Sequence, residues 1–450
     1  MRFLAQNTAV AAMLSATAVS AITLDVTSTD SIKAAASTVA GKMMDWYTGN
    51  QPGGTPGILP QPYYWWEAGA MMGTLIDYWY YTGDTKYNDE VTTALLFQLS
   101  PTYDFMPQNQ TKDEGNDDQI FWAFAVMSAA EYKFPDPPSD QPSWTSQAQA
   151  VFNSQANRWD AQNCGGGLRW QIFQWNAGWD YKNSPSNAGL LNLASRLYAY
   201  TANETYADWT EKIWDWMDGI GLLSPQFAVF DGTSIGDNCS TLDHNQWTYS
   251  AGMMLNAAAV MYNATQNDTW HARALGIWNT SATDFFKDKV MFEICEPTDN
   301  CDTDQQSFKA YFARWIADST KRLPELYNLV QPYLAASATA AAAQCSGGDD
   351  NITCGTKWTT DGVWDGTYGV GQQMCALSVI QANLIQDASS PVSEKTGGTS
   401  KGNASYGTGT DQTTPVTFDA ITTADRAGAG ILTALVVVLT VSGAWFMVST

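Results

Sequence analysis

Two adjacent aspartates, Asp117 and Asp118, sit in the run Glu114-Gly115-Asn116-Asp117-Asp118-Gln119, immediately before the apolar stretch Ile120-Phe121-Trp122-Ala123. Like charges this close repel, so in a cleft one keeps its proton while the other ionises. That is the division of labour of a glycosidase, in which one carboxylate attacks and one carboxylic acid protonates the leaving oxygen. Neighbours on a regular helix do not face each other, so both can address one bond only if the pair straddles a helix start, and the sequence places it there. The helix N-terminus also favours the ionised form of whichever carboxylate points along the axis. Adjacency favours the short carboxyl separation of a retaining enzyme, roughly 5 to 5.5 Å, over the roughly 6.5 to 9.5 Å that lets an inverting enzyme fit a water. A lone Asp-Asp at a helix start reads equally well as capping on a surface helix. The rest of the chain decides between the two.

Apolar periodicity predicts helices at about 31–48, 64–82, 85–99, 116–133, 143–160, 186–202, 205–218, 247–263, 267–285, 305–319, 322–343 and 368–387, with no convincing run of alternating strands. Every second helix opens on a polar and aromatic cluster. Candidate sugar-binding residues from these clusters are Trp66 and Glu67, Asn116 and Gln119 beside the aspartates, and Asn187 after Asn183-Ser184-Pro185-Ser186. His244, Gln246, Trp247 and Tyr249 form a fourth group, Asp304 with Lys309 and Arg314 a fifth, and Trp364 with Asp365 a sixth. If six helical hairpins close into a ring, the alternate helices form its inner wall and bring their N-terminal ends to one rim. The expectation is an all-α (α/α)6 barrel with its site at that rim. Small residues just inside the same helices, such as Ala68-Gly69-Ala70, Ala188-Gly189, Ala251-Gly252 and Gly369-Val370-Gly371, fit close packing there, since Gly costs a helix about 1 kcal/mol relative to Ala. An irregular bundle with capping polar residues is the plainer alternative, but capping gives the Trp and Tyr no role.

Composition narrows the ligand. With 22 Lys+Arg against 45 Asp+Glu, the formal charge of -23 argues against nucleic acid, whose phosphates are held by clustered cations. Twenty Trp, 20 Tyr and 17 Phe offer rings for stacking on sugars. Two His, His244 and His271, give little support for a zinc cluster or a Ser/His/Asp triad, and no metal or cofactor is expected. His244 reads as a sugar contact or a structural residue. Lys309 and Arg314 read as holding an anionic group such as a phosphate, or as pairing with an acid.

The ends point to export. Residues 1–21 read as a signal peptide, 22–390 as the catalytic domain, 391–425 as a Gly/Ser/Thr-rich stalk with the attachment region of a GPI anchor, and 426–450 as a removed hydrophobic tail. A tail-anchored helix is the alternative for the last segment. Eight Asn-x-Ser/Thr sequons agree with that compartment, as do seven Cys, whose spacing pairs Cys295 with Cys301, Cys345 with Cys354 and Cys164 with Cys239, leaving Cys375.

The aspartate run, Trp65-Trp66-Glu67-Ala68-Gly69-Ala70, Gly166-Gly167-Leu168-Arg169-Trp170-Gln171, Asn245-Gln246-Trp247-Thr248-Tyr249-Ser250-Ala251-Gly252, and Phe308-Lys309 with Arg314 together resemble glycoside hydrolase family 76, in its GPI-anchored fungal cell-wall branch. The likeness spans about 25–387. It implies an (α/α)6 fold and retaining, endo-acting cleavage of alpha-1,6-mannosides in mannan or a GPI-anchor core glycan, with Asp117 as nucleophile and Asp118 as acid/base. It also implies a possible transfer of anchored proteins to a wall beta-glucan acceptor, membrane attachment through the GPI anchor, and an anchor phosphate as partner for Lys309 or Arg314. A wall lectin that kept the cleft without turnover is the reading from a different class.

Overall fold

Small residues and polar caps set the architecture. A β-carbon on Gly69 would lie 2.7 Å from the Trp122 ring, one on Gly189 2.9 Å from Ile120, and one on Gly252 3.0 Å from Phe312, so these helices meet at distances only glycine permits. The computed structural model describes residues 22–360, 362–408 and, in the C-terminal tail, 426, 428, 430–437, 439, 440 and 442. The expected signal peptide and residues 409–425 lie outside the described residues.

Twelve helices are described in the body: α1 (Thr29–Met44), α2 (Trp65–Thr82), α3 (Asn88–Phe97), α4 (Asn116–Tyr132), α5 (Trp144–Asn157), α6 (Ser184–Thr201), α7 (Glu204–Gly219), α8 (Thr248–Thr265), α9 (Asp268–Asp284), α10 (Phe308–Arg322), α11 (Leu326–Gln344) and α12 (Val370–Ala382). The even-numbered helices pack each on the next, and α12 returns to α2, closing an inner ring that the odd-numbered helices surround. This is an (α/α)6 barrel. The inner helices are buried almost all round, while outer helices such as α7 bury one face, turning only Tyr206, Thr210, Ile213, Trp214, Trp216 and Met217 inward; α5 is the exception, buried from Trp144 to Phe152 on every side. Polar side chains start several helices as expected, with Ser28, Ser143, Asn183, Asn203 and Asn267 each accepting from a first-turn N–H.

Short strands accompany the helices, none long enough to form an alternating run. Three small antiparallel sheets occur: β1 (Tyr181–Asn183), β2 (Gly232–Ser234) and β3 (Leu242–Asp243); β4 (Phe286–Lys287) with β5 (Val290–Met291); and β6 (Cys345–Gly347) with β7 (Thr353–Cys354). Strands of two or three residues carry no period to detect. Disulfides join Cys164 to Cys239, Cys295 to Cys301 and Cys345 to Cys354, and Cys375 is free and buried in α12.

The floor, where the inner helices end, is closed by ion pairs. Glu131 of α4 bonds Arg196 of α6 at 2.6 Å and Arg322 of α10 at 2.8 Å. Arg322 also reaches Asp318 at 3.2 Å, and Asn256 of α8 donates to Asp318 at 2.8 Å.

Residues 391–408, expected as the start of a stalk, belong to the body. The Val392 N–H donates to the Glu131 carbonyl, Thr145 N–H to Ser400 Oγ at 2.8 Å, and Asn153 Nδ2 to the carbonyls of Ala404 and Tyr406 at 2.9 and 2.7 Å. Ser400 is buried. The compact unit ends at Thr408; the second unit, Gly409–Thr450, is helical at its described residues. No helix among the described residues is long and apolar enough to cross a membrane.

Candidate active site

Gly115 is the N-cap of α4, which makes Asn116, Asp117 and Asp118 its first three residues. The first N–H groups of a helix lack partners within it, and both aspartates fold back to take them. Asp118 Oδ2 accepts from the Gly115 N–H at 2.5 Å, and Asp117 Oδ1 accepts from the Asp118 N–H at 3.1 Å. A β-carbon on Gly115 would lie 2.5 Å from that Asp117 oxygen and 2.6 Å from that Asp118 oxygen. Glycine is therefore required by space rather than by backbone angle. The same two distances put these oxygens no more than about 5.1 Å apart, too close for the water of an inverting enzyme to sit between them.

Asp117 and Asp118 line a cleft of about 280 Å³ at the rim. Burial pushes both carboxyls up, and the two differ in what opposes it. Asp117 Oδ2 accepts from Asn183 Nδ2 at 2.7 Å, and this bond favours its ionised form. Asp118 feels the Asp117 charge and is raised well above the usual carboxylate range. The pair thus ionises at Asp117 first, leaving the proton on Asp118.

Asn183 has a double role. Its Oδ1 accepts from the Ser186 N–H at 3.3 Å as N-cap of α6, while its Nδ2 holds Asp117. Asn183→Ser keeps a capping oxygen and loses the amide donor. We predict that the acidic limb of its kcat/KM profile moves to higher pH by roughly half to one unit, because the ionised Asp117 loses a charge-assisted bond worth about 1.5–3 kcal/mol, partly replaced by water. A pH–rate series checks this; an unmoved acidic limb would remove Asn183 from the account.

Opposite the pair, Trp66 Nε1 donates to Asp304 Oδ1 at 3.0 Å, and burial pushes Asp304 up to about 6. The Tyr249 ring stacks on Phe308 at 3.9 Å, with Trp247 edge-on to Phe308. Trp247 Nε1 and the Tyr181 hydroxyl donate to the two oxygens of Asp231 at 2.9 and 2.8 Å. Trp66, Trp247, Tyr249 and Asp304 all line the cleft. So do Tyr181, Asn183, Asp231, Asp243, Asn245 and Trp170, none of them among the candidates from sequence. Asn183 and Asn245 fell inside polar clusters that the sequence flagged; Tyr181, Asp231 and Asp243 sit on or beside strands too short to signal themselves.

The other candidates lie elsewhere. Glu67 is buried and closes a capping box, accepting from the Tyr64 N–H at 2.9 Å. Asn116 donates to the Arg169 carbonyl at 2.9 Å and accepts from Arg158 Nε at 2.8 Å; Gln119, behind it, donates to the Asp104 carbonyl at 2.6 Å. Asn187 clamps Leu168 through both its N–H and its carbonyl, at 2.7 and 3.0 Å. These contacts fasten the Gly166–Gln171 loop that carries Trp170, and in that loop Gly167 (φ +94°) packs where a β-carbon would sit 2.3 Å from Trp216. His244 is exposed and packs its ring on Phe230, while Gln246 faces a separate groove beside Asp284. Trp364 donates to the Thr367 carbonyl and Asp365 accepts from the Lys357 N–H at 2.8 Å, so both organise the 356–367 loop.

Lys309 and Arg314 need no phosphate. Lys309 is buried against Glu296 at 2.6 Å and over the Trp358 ring at 3.8 Å, and Arg314 is buried against Asp77. Pairing with an acid is the correct alternative for both. A sequence cannot reveal such partners: Asp77 lies 237 positions from Arg314.

The sequence profile of glycosyl hydrolase family 76 matches residues 31–395. The chain belongs to that family. Among relatives in family 76, a Saccharomyces cerevisiae protein named mannan endo-1,6-alpha-mannosidase DCW1 is 46% identical over 431 residues, covering 95% of each chain. Candida albicans mannan endo-1,6-alpha-mannosidase DFG5 is 40% identical over 97% of each. The crystal structure of Dfg5 from Chaetomium thermophilum in complex with glucosamine superposes with a TM-score of 0.82 at 42% identity, covering 85% of this chain and 97% of that one. The alpha-1,6-mannanase GH76A of Salegentibacter sp. HEL1_6, as an inactive double-aspartate variant with alpha-1,6-mannotriose, gives 0.64 at 17% identity over 78% of this chain and 99% of that one, a likeness of fold.

Proposed function

We propose that this family 76 protein is a retaining, endo-acting alpha-1,6-mannosidase of the fungal cell surface, with Asp117 as nucleophile and Asp118 as acid/base. One observation carries the roles: Asp117 is held by an amide donor that favours its charge, while Asp118, beside that charge, keeps its proton. The names of the relatives, mannan endo-1,6-alpha-mannosidases at 39 to 47% identity, support the linkage.

With an alpha-1,6-mannoside across the pair, an ionised Asp117 oxygen attacks the anomeric carbon as Asp118 gives its proton to the departing 6-oxygen. A mannosyl ester on Asp117 results. Asp118, now a carboxylate, takes the proton of the incoming hydroxyl, which attacks the same carbon and frees Asp117, so configuration is retained. Trp66, Trp247 and Tyr249 offer ring faces to the sugars, and Asp231, fixed by two donors, is placed to accept from hydroxyls.

Water as the incoming hydroxyl gives hydrolysis, and a sugar hydroxyl gives transfer, for which a beta-glucan acceptor is the alternative raised by the sequence. The glycan core of a GPI anchor and wall mannan are the two substrate sources. The surface location follows the N-terminal signal and C-terminal anchor readings. Incubating the mature protein with a GPI core glycan, with and without a beta-glucan oligosaccharide, tests the reading by mass spectrometry. Shorter mannosides mean hydrolysis, a heavier conjugate means transfer, and neither product would sink it in favour of the lectin.

A further inference from the structure

Behind one wall of the cleft lies a second, separate depression. It is a groove of about 470 Å³, within the roughly 300–1,000 Å³ of pockets that hold small ligands. One side is the end of α9, from Asn279 to Asp284. The other is the hairpin of residues 222–230, closed by a bridge between Leu223 and Val229 and by the Ser224 N–H on the Ala228 carbonyl at 2.9 Å. The two sides are already fastened together: Thr280 Oγ1 donates to the Gln226 carbonyl, and the Phe227 ring packs on Gly276, where a β-carbon would lie 2.3 Å away. Phe230 and Gln246 line the groove, while their chain neighbours Asp231 and Trp247 line the cleft. Apart from Asp284 the lining is uncharged, made of Ser and Thr hydroxyls, the amides of Gln226 and Gln246, and the Phe230 ring. Such a set suits a neutral sugar bearing an amide, which pairs with amides and hydroxyls and packs on a ring.

We propose that Asn279 carries an N-linked glycan whose first N-acetylglucosamine lies in this groove and braces the hairpin against α9. Asn279-Thr280-Ser281 is a sequon, and Asn279 is itself part of the groove wall, exposed and bonded through its side chain to none of the described residues. Three other sequons are set differently. Asn263 commits its Nδ2 to the Arg322 carbonyl at 3.0 Å, and Asn203 and Asn267 cap helices through Oδ1, accepting from the Thr205 and Thr269 N–H groups at 3.1 and 2.9 Å. A sugar linked to Asn279 needs little affinity of its own, because the covalent link holds it over the groove at high effective concentration. In the attachment, Nδ2 displaces a polyprenyl diphosphate from the anomeric carbon of the oligosaccharide it carries. The N–C bond forms, the C–O bond to the diphosphate breaks, and Nδ2 loses one proton. The donor belongs to the secretory route, and the step precedes folding, since a transferase reads a sequon as extended chain and α9 winds this one into helix. The inference rests on export alone and is independent of the mannosidase reading.

The test takes the full chain expressed through the secretory route of a fungal host and weighs its glycopeptides by mass spectrometry, before and after peptide-N-glycosidase acts on the folded protein. Asn279 is expected to be occupied. Its glycan should leave folded wild type at least tenfold more slowly than folded Thr283→Trp, whose indole fills the groove from an exposed position one helical turn along α9. After unfolding, the two rates should converge. Asn279 recovered unmodified would overturn the inference, and so would equal release from the two folded proteins. A second comparison does not depend on that variant. Asn279→Gln changes an exposed residue and removes the sugar, and amide exchange across residues 222–230 should become at least fivefold faster than in the glycosylated wild type. A smaller change would show that the sugar does not brace the hairpin. Turnover of mannosides enters neither readout, so failure here leaves the mannosidase reading as it stands.

Discussion

Asp117→Asn loses turnover of alpha-1,6-mannosides by at least about 10⁴-fold while keeping glycan affinity within severalfold. The amide is isosteric, still fits over Gly115 and still lines the cleft, but it has no charge with which to form the glycosyl ester. A rate loss of that size corresponds to about 5.5 kcal/mol of transition-state stabilisation. The binding measurement separates the enzyme from a lectin: calorimetry with a mannotetraose should give a similar Kd for both proteins. A variant that still turned over within tenfold of wild type would exclude Asp117 as the nucleophile. Because Asp117 must be charged and Asp118 protonated, the wild-type kcat/KM profile is bell-shaped. Burial raises both carboxyls, so both limbs lie above the range of ordinary surface carboxylates.

Glu131→Ala destabilises the fold by about 3–5 kcal/mol, the usual cost of removing one partner from a buried ionic network. Glu131 is 1% exposed and is the shared acceptor for Arg196 and Arg322, both buried. Its loss leaves two guanidinium groups underpaid in charge at the barrel floor, with Asp318 as the only neighbouring carboxylate bonded to either among the described residues. Urea unfolding should show a lower midpoint with little change in slope. The cleft lies at the opposite end, so kcat/KM of the folded variant at low temperature should stay near that of the wild type. A midpoint unchanged within error would show the network to be dispensable.

The ring was legible because its signals are local. Helix periodicity and recurrent Ala-Gly pairs are properties of neighbouring residues, and the pairs sit where Trp122, Ile120 and Phe312 approach too closely for any side chain. The aspartate pair was legible for the same reason, through its position before an apolar run. What sequence reasoning misjudged was which polar residues at the rim face the cleft. Glu67, Asn187 and Lys309 near helix starts, and Arg314 further along α10, look like binding residues, yet burial obliges each to find a partner, and those partners come from distant parts of the chain or from backbone. Asp231 and Tyr181 went unseen because their strands have no periodic signature, although they form one wall of the cleft.

The Cys164–Cys239 bridge closes a loop of 75 residues and joins the segment before Trp170 to the turn between β2 and β3, so that two overhanging walls are covalently one. Such a closure contributes on the order of 4 kcal/mol. Both cysteines lie outside the twelve helices, so the bridge acts on the shape of the opening rather than on the ring. Protein made in a reducing cytosol would keep its helical circular dichroism and hold oligosaccharide poorly, whereas material matured under oxidising conditions carries the aperture ready-made.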